Sequence, residues 1–278
     1  MVVFAGQGDA RRSMALLWRT PGSGGARSGP GPKPGLTVDE IVDAAIAVAD
    51  AEGMAALSMR AVGERLGRTA MALYTYVPSK SELVDLMYDR ALAEMPTAYD
   101  LGAGWRAAVT AWAEDGWSFY LRHPWVLQVS QARPVLGPNE YVSLETTLRI
   151  LRATGLEAGV LRRLVGALVH FVRGAARTIA ETRQAPAATG VSDEEWWYAR
   201  SALLLEVVPD FTERFPMVAW LGAEAQDQPG DASVPYLERE AKATFKVGLT
   251  VLLDGIEAII GRSGHLAGPT RPLGPPGG

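Results

Sequence analysis

Arg60, Arg65, Arg68 and Lys80 fall within residues 57–80, where Glu64 is the only acid. Thr69, Tyr74, Thr75 and Tyr76 lie among them. Guanidinium and ammonium groups mixed with short hydroxyl side chains can hold phosphates and reach base edges. An ordinary helical corner with solvated arginines has the same composition, so spacing alone leaves both readings open. No other set has the spacing of a catalytic or metal centre. His123, His170 and His265 are scattered, and His123 precedes Pro124 at a helix break. No Glu-x-x-His pair occurs at helical spacing. Glu114-Asp115 and Glu194-Glu195 are adjacent, so their members point to different helix faces. There is no cysteine, which excludes disulfides, thiolate catalysis and cysteine-ligated zinc. A helical-bundle enzyme therefore has no visible nucleophile–base pair. A dimeric small-molecule-binding protein that does not read DNA is a further alternative.

The 278 residues suffice for one large or two modest domains. Hydrophobic content of 48% and charged content of 21% are those of a globular protein. No run of 18 apolar residues is present, so no membrane partner and a cytoplasmic location are expected. The net charge of −4 hides an asymmetry: residues 1–80 carry nine Lys/Arg against seven Asp/Glu, and the acidic excess lies in the rest. That distribution suits a partner touched at one end, and an excess of two is also small enough to arise by chance.

The elements that must position these residues read as helices throughout. Residues 1–35 form an expected flexible basic arm, because glycine and proline fill ten of the fifteen positions from Pro21 to Gly35. Arg11-Arg12 precedes an apolar stretch of only five residues, too short for an export signal. Thr37-Val38-Asp39-Glu40 is a capping box opening the first helix. A second helix runs from a Ser58 cap to Leu66 and stops at Gly67; a third, capped by Thr69, covers 70–77 and ends at Pro78. Ser79-Lys80-Ser81-Glu82 opens a fourth, to about Met95. Further helices follow from Trp105 to a break at His123-Pro124, through Tyr141, Leu144, Leu148 and Leu151 to a stop at Gly155, and over 156–184, 193–207 and about 235–262, with a short segment near Met217–Gly222 and loops at 185–192 and 224–234. The fold class is all-α. A three-helix, helix-turn-helix domain is expected over 36–82, a larger helical domain over 83–262, and a disordered tail over 263–278.

Within 58–77 the spacing matches a helix-turn-helix, whose second helix lies in the major groove. Leu73 and Val77 would hold that helix to the bundle, leaving Thr69, Ala70, Met71, Thr75 and Tyr76 outward. Arg68 and Lys80 each sit where a helix begins, a position favourable to phosphate. This segment resembles the N-terminal domain of the TetR family of repressors, with Leu73-Tyr74, Val77, Lys80 and Leu83 at its hallmark positions. The resemblance implies that Tyr74 contacts phosphate, that Lys80 sits at the DNA backbone and that residues around 69–75 read bases; Arg60 and Arg68 join the DNA-binding set from the local basic cluster. Many members carry histidine where this chain has Tyr76, whose hydroxyl keeps a phosphate contact available.

The likeness continues through His123-Pro124-Trp125, Arg133-Pro134, Gly137-Pro138, Leu144-Glu145 and His170-Phe171 with Gly174. These are similar to the C-terminal domain of the tetracycline-repressor subgroup. Two helical stripes are visible in the residues themselves. Leu161, Val165, Leu168 and Val172 repeat at 4, 3, 4, and Phe245, Gly248, Leu252 and Gly255 at 3, 4, 3. Such stripes fit either an intrachain core or a helix–helix dimer seam; the resemblance implies the seam of a homodimer. It also implies an effector pocket near Trp112, Arg133, Thr147, Val165 and His170. Tetracycline repressors hold a magnesium–drug chelate with histidines; Glu94 to Thr97 and Gln128 to Gln131 contain none. No metal or other cofactor is therefore expected, and the effector should be a partly apolar organic molecule. The function implied is a repressor released from a double-stranded DNA operator by that effector.

Overall fold

The computed structural model describes residues 3–19, 35–226 and 235–266. Regular structure among them is helical, apart from one isolated parallel bridge between Val3 and Val129. The elements are α1 (Ala10–Leu17), α2 (Val38–Glu52), α3 (Met59–Leu66), α4 (Ala70–Tyr74), α5 (Lys80–Leu92), α6 (Trp105–Arg122), a 3₁₀ turn (Pro124–Gln128), α7 (Pro138–Arg152), α8 (Ala158–Thr189), α9 (Asp193–Val207), α10 (Phe211–Arg214), α11 (Pro216–Gln226) and α12 (Tyr236–Leu266).

Local chemistry explains the boundaries. Thr37 closes the expected capping box: its hydroxyl accepts from the Glu40 N–H, and the Glu40 carboxylate accepts from the Thr37 N–H at 2.7 Å. The third helix is shorter than its apolar spacing suggested. It ends at Tyr74, and the Tyr76 and Val77 N–H groups both turn back onto the Leu73 carbonyl before Pro78. α8 runs into the loop expected at 185–192, ending at Thr189 with Pro186 inside its last turn. Gly190, at φ +74°, stops it by donating to the Pro186 carbonyl, the usual role of a left-handed glycine cap.

Part of the expected arm is a folded element. Asp9 caps α1 by accepting from the Arg12 N–H, and Ser13, Leu16 and Leu17 are buried. Burying two leucines is worth roughly 1.5–3 kcal/mol each. The Gly/Pro-rich composition that suggested a flexible arm begins only at Pro21, and residues 20–34 lie outside those described. The backbone of α12 likewise continues to Leu266, beyond the expected stop at 262; residues 267–278 lie outside those described.

No core boundary appears at residue 82. One apolar cluster joins Ile41, Val62, Leu73 and Val77 to Leu83, Met87, Phe119 and Trp125. α5 lies at its centre: nine of its thirteen residues are buried, Glu82, Asp85 and Asp89 among them. Buried carboxylates need partners. Asp85 accepts from the Gly6 N–H at 3.0 Å, and Asp89 accepts from the Asn139 and Glu140 N–H groups, both at 2.9 Å, capping α7. The described residues of Met1–Gly174 and Leu249–Gly278 form one compact unit, and Ala175–Gly248 form a second.

Candidate functional site

The α3–α4 pair is built by two glycines. Ser58 caps α3 by accepting from the Ala61 N–H at 3.1 Å. Gly67 ends it in the left-handed region (φ 63°, ψ 35°). Gly63, which sequence reasoning passed over, is equally required. A Cβ there would lie 2.7 Å from the Arg68 carbonyl oxygen and 3.3 Å from the Ala70 nitrogen. The same close approach lets the Arg68 N–H reach the Gly63 carbonyl at 2.8 Å. Thr69 then caps α4, accepting from the Ala72 N–H. Leu73 and Val77 are fully buried, so the opposite face must point outward. Met71 is 74% exposed; Thr69, Tyr74 and Thr75 are exposed, and Ala70 and Tyr76 half-buried.

Three cations flank that face. Arg68 is exposed and donates to the Gly35 carbonyl at 2.9 Å. Lys80 donates to the Leu57 carbonyl at 2.5 Å, which holds its ammonium beside the start of α3. Arg60 pairs with Glu64 at 2.8 Å across one turn. Both are well exposed, and a solvated pair of this kind is weak enough to be exchanged for another anion. The structure thus brings all nine residues expected at the DNA-reading end into one region, with Tyr76 turned partly toward the core.

A cavity of about 350 Å³ lies among α5, α6, α7, α8 and the segment before α7. Trp112, Thr147 and Val165 line it as expected. Arg133 and His170 do not: both are exposed. On α8 the lining positions are 165, 169 and 172, and residue 170 lies about 100° round the helix from 169. In the loop, Pro134 occupies the wall in place of Arg133. The aromatic residues missed were Tyr88, Phe119, Tyr120 and Tyr141. The 4, 3 spacing of Trp112, Gly116 and Phe119 carried the α6 part of this signal. Burial pushes the Tyr88 and Tyr120 phenols up, so both remain neutral hydroxyls. Burial also raises the Glu140 carboxyl, against the hydrogen bonds it accepts from the Leu136, Val135 and Gly137 N–H groups.

A polar bolt joins α2 to the end of α6. His123 Nδ1 lies 2.8 Å from Asp50 Oδ1 and its Nε2 3.0 Å from Glu94 Oε2. Trp125 Nε1 donates to the same Asp50 oxygen at 2.8 Å. Burial pushes the Glu94 carboxyl up, but the His123 hydrogen bond and the charges of His123 and Arg122 outweigh it and hold it below its usual range.

The chain itself buries part of the two stripes expected at a dimer seam. Leu161, Leu168 and Val172 are buried within their own chain, and Val165 is half-buried in the cavity wall. Phe245 is also buried, Gly248 and Leu252 are half-buried, and Gly255 is exposed. Periodicity located the apolar faces but could not tell which of them the chain covers itself. Open on α12 are Val247 and Val251, each about two-thirds exposed, with Gly255 and, at its start, Tyr236 and Leu237. In the second compact unit Trp197 of α9, Val207 of α9 and Met217 of α11 are exposed as well.

Comparison with known proteins bears on both ends of the chain. Residues 41–87 match the family described as bacterial regulatory proteins, tetR family, and residues 98–260 match the tetracyclin repressor-like C-terminal domain. Over 257 residues the chain is 40% identical to the HTH-type transcriptional repressor DrrR1 of Streptomyces coeruleorubidus, spanning 92% of this chain and 88% of that protein. The crystal structure of apo ActR from Streptomyces coelicolor has a TM-score of 0.62 at 24% identity, covering 84% of this chain and 100% of that one. ActR in complex with actinorhodin has a TM-score of 0.62 at 25% identity, over 82% of this chain and 97% of that one.

Proposed function

The chain belongs to the TetR family of transcriptional regulators and is a ligand-responsive, DNA-binding repressor; from that premise we propose how its residues divide the work. α4 enters the major groove. Thr69, Ala70, Met71 and Thr75 face base edges, while Tyr74, Tyr76, Arg60, Arg68 and Lys80 hold phosphates. The observation that carries this reading is the α3–α4 corner: two glycines bring the helices together, and the outward face of the second presents hydroxyls beside cations.

The effector enters the cavity among α5–α8. Five aromatic rings line it, Tyr88, Trp112, Phe119, Tyr120 and Tyr141, beside a few hydroxyls. Such walls suit a flat, largely apolar organic molecule. ActR has been solved with actinorhodin, which is in keeping with an aromatic effector here. α5 carries Lys80 at one end and the cavity residues Tyr88 and Leu92 at the other. A ligand shifts DNA binding only through its differential affinity for two arrangements of such a joint.

The working protein is a homodimer in the cytoplasm. Apolar patches as exposed as those of α9, α11 and α12 are uncommon on monomers. A second copy covering them places two α4 helices on successive half-sites, about 34–36 Å apart.

Selection of bound sequences from random duplexes, followed by titration with candidate aromatic molecules, tests the reading. The expected result is a palindromic site released by one class of ligand. A chain that stays monomeric and ignores every duplex at low ionic strength would refute it.

A further inference from the structure

The N-terminal residues 3–19 lie across the joint between reader and cavity, and their contacts run in order from one end to the other. Val3 pairs with the segment after the 3₁₀ turn: its N–H donates to the Gln128 carbonyl at 2.9 Å, and its carbonyl accepts from the Ser130 N–H at 2.7 Å. That segment is itself held by Arg173 of α8, which donates to the Leu127 and Val129 carbonyls, both at 2.7 Å. Ala5 is buried, and the Gly6 N–H binds the Asp85 carboxylate of α5. α1 then buries Leu16 and Leu17, and the chain finishes on two contacts in adjacent residues.

Those two contacts reach opposite ends of the switch. Trp18 Nε1 donates to the Leu136 carbonyl at 2.9 Å, and its ring lies 6.1 Å from that of Tyr141. Leu136 and Tyr141 both line the cavity. Arg19 pairs with Asp39, in the first turn of α2, at 2.6 Å. Among the described residues, only Arg19 (φ 51°) and Leu136 (φ 62°) are non-glycine residues in the left-handed region. One follows Trp18 directly, and the other accepts its hydrogen bond. Leu136 is fixed on its second side by its own N–H, which donates to Glu140 Oε2 at 2.6 Å. Uncommon backbone conformations persist where surrounding contacts over-determine them, and they concentrate at ligand clamps and switch segments.

We propose that residues 3–19 form a built-in strap that couples the cavity wall to the DNA reader, with Trp18 as the contact to the wall and Arg19 as the contact to α2. The proposal rests on the cavity and reader assignments above. A ligand that displaces Leu136 or Tyr141 breaks or shifts the Trp18 contact, and the adjacent Arg19 carries the change to the first turn of α2. Without the strap the cavity signals only through α5.

Hydrogen exchange on the full-length protein, without DNA or ligand, tests the link. Trp18→Phe keeps a ring beside Tyr141 but removes the donor. Arg19→Gln removes the ion pair. Exchange should rise roughly fivefold at residues 136–141 in Trp18→Phe, as expected for loss of one hydrogen bond. It should also rise about twofold or more at residues 41–45 of α2. Arg19→Gln should produce the same two patches with their sizes reversed. If each variant changes only the segment it touches, the strap is passive packing and the proposal fails. It fails equally if exchange rises evenly through α6 and α8, which marks general loosening. The paired pattern in a chain that binds no DNA would sustain the mechanical link and refute the repressor reading, so the two failures are distinct.

Discussion

Replacing Lys80 with glutamine isolates the phosphate contact from the fold. The Lys80 ammonium donates to the Leu57 carbonyl beside the start of α3, and Lys80 itself is exposed. Glutamine retains an N–H donor for that carbonyl but loses the charge. A protein that neutralises Z phosphates binds B-DNA with a salt slope of about −0.9Z, and a dimer presents this lysine twice. Lys80→Gln should therefore make the slope shallower by about 1.8. A fourfold change in salt raised to that power is about twelvefold, so the affinity loss at 50 mM salt should exceed the loss at 200 mM by about twelvefold. The assay is fluorescence anisotropy with the selected operator and with an unrelated duplex across that range. If Lys80 holds backbone phosphate as proposed, both duplexes should lose affinity in the same proportion. An unchanged slope, or a loss confined to the operator, would show that Lys80 does not sit on phosphate and that α5 approaches DNA differently.

Other expectations concern the core, the seam and the cavity. Burial raises the Asp85 carboxyl from its ordinary value near 4 to about 6, with the Gly6 N–H opposing and Glu82 and Glu140 adding to the rise. The folded protein then binds more protons than the unfolded chain between those values, so this contribution is present below about pH 4 and lost as pH rises through about 6. Asp85→Asn, which keeps an acceptor for Gly6, should flatten stability against pH in urea denaturation across the interval from about pH 4 to about 6; an equal slope in both proteins would contradict the assignment. Leu168→Ala should cost about 2–5 kcal/mol of folding stability, because Leu168 is buried within its own chain. Val251→Asp, at a position 64% exposed, should leave the fold intact but yield monomers in analytical ultracentrifugation and abolish operator binding. Gly116→Val should raise the effector concentration needed for release by roughly tenfold with operator affinity retained, since a Cβ at 116 already lies 3.3 Å from Val172 at the cavity wall.

Much of the reader was legible because its determinants are local. Thr37 with Glu40, Ser58, Gly67 and Thr69 act within four residues of themselves, through caps and a left-handed turn, so their types and spacing sufficed. Gly63 was not legible. Its need arises from the approach of the Arg68 carbonyl across the corner, and within α3 it reads as one weak helix former.

From the chain alone came the all-α class, the two-helix corner, its basic flank, and the existence of apolar stripes on α8 and α12. These follow from periodicity and capping, which are properties of neighbours in sequence. Only the tertiary structure decided where the stripes are spent. It put Leu168 and Phe245 in the chain's own core, left Val247 and Val251 exposed, turned His170 away from the cavity and brought Trp18 onto its wall. A periodic pattern fixes which face of a helix is apolar, but what that face meets depends on elements more than a hundred residues away. The contact between residues 18 and 136 therefore has no signature in either segment by itself.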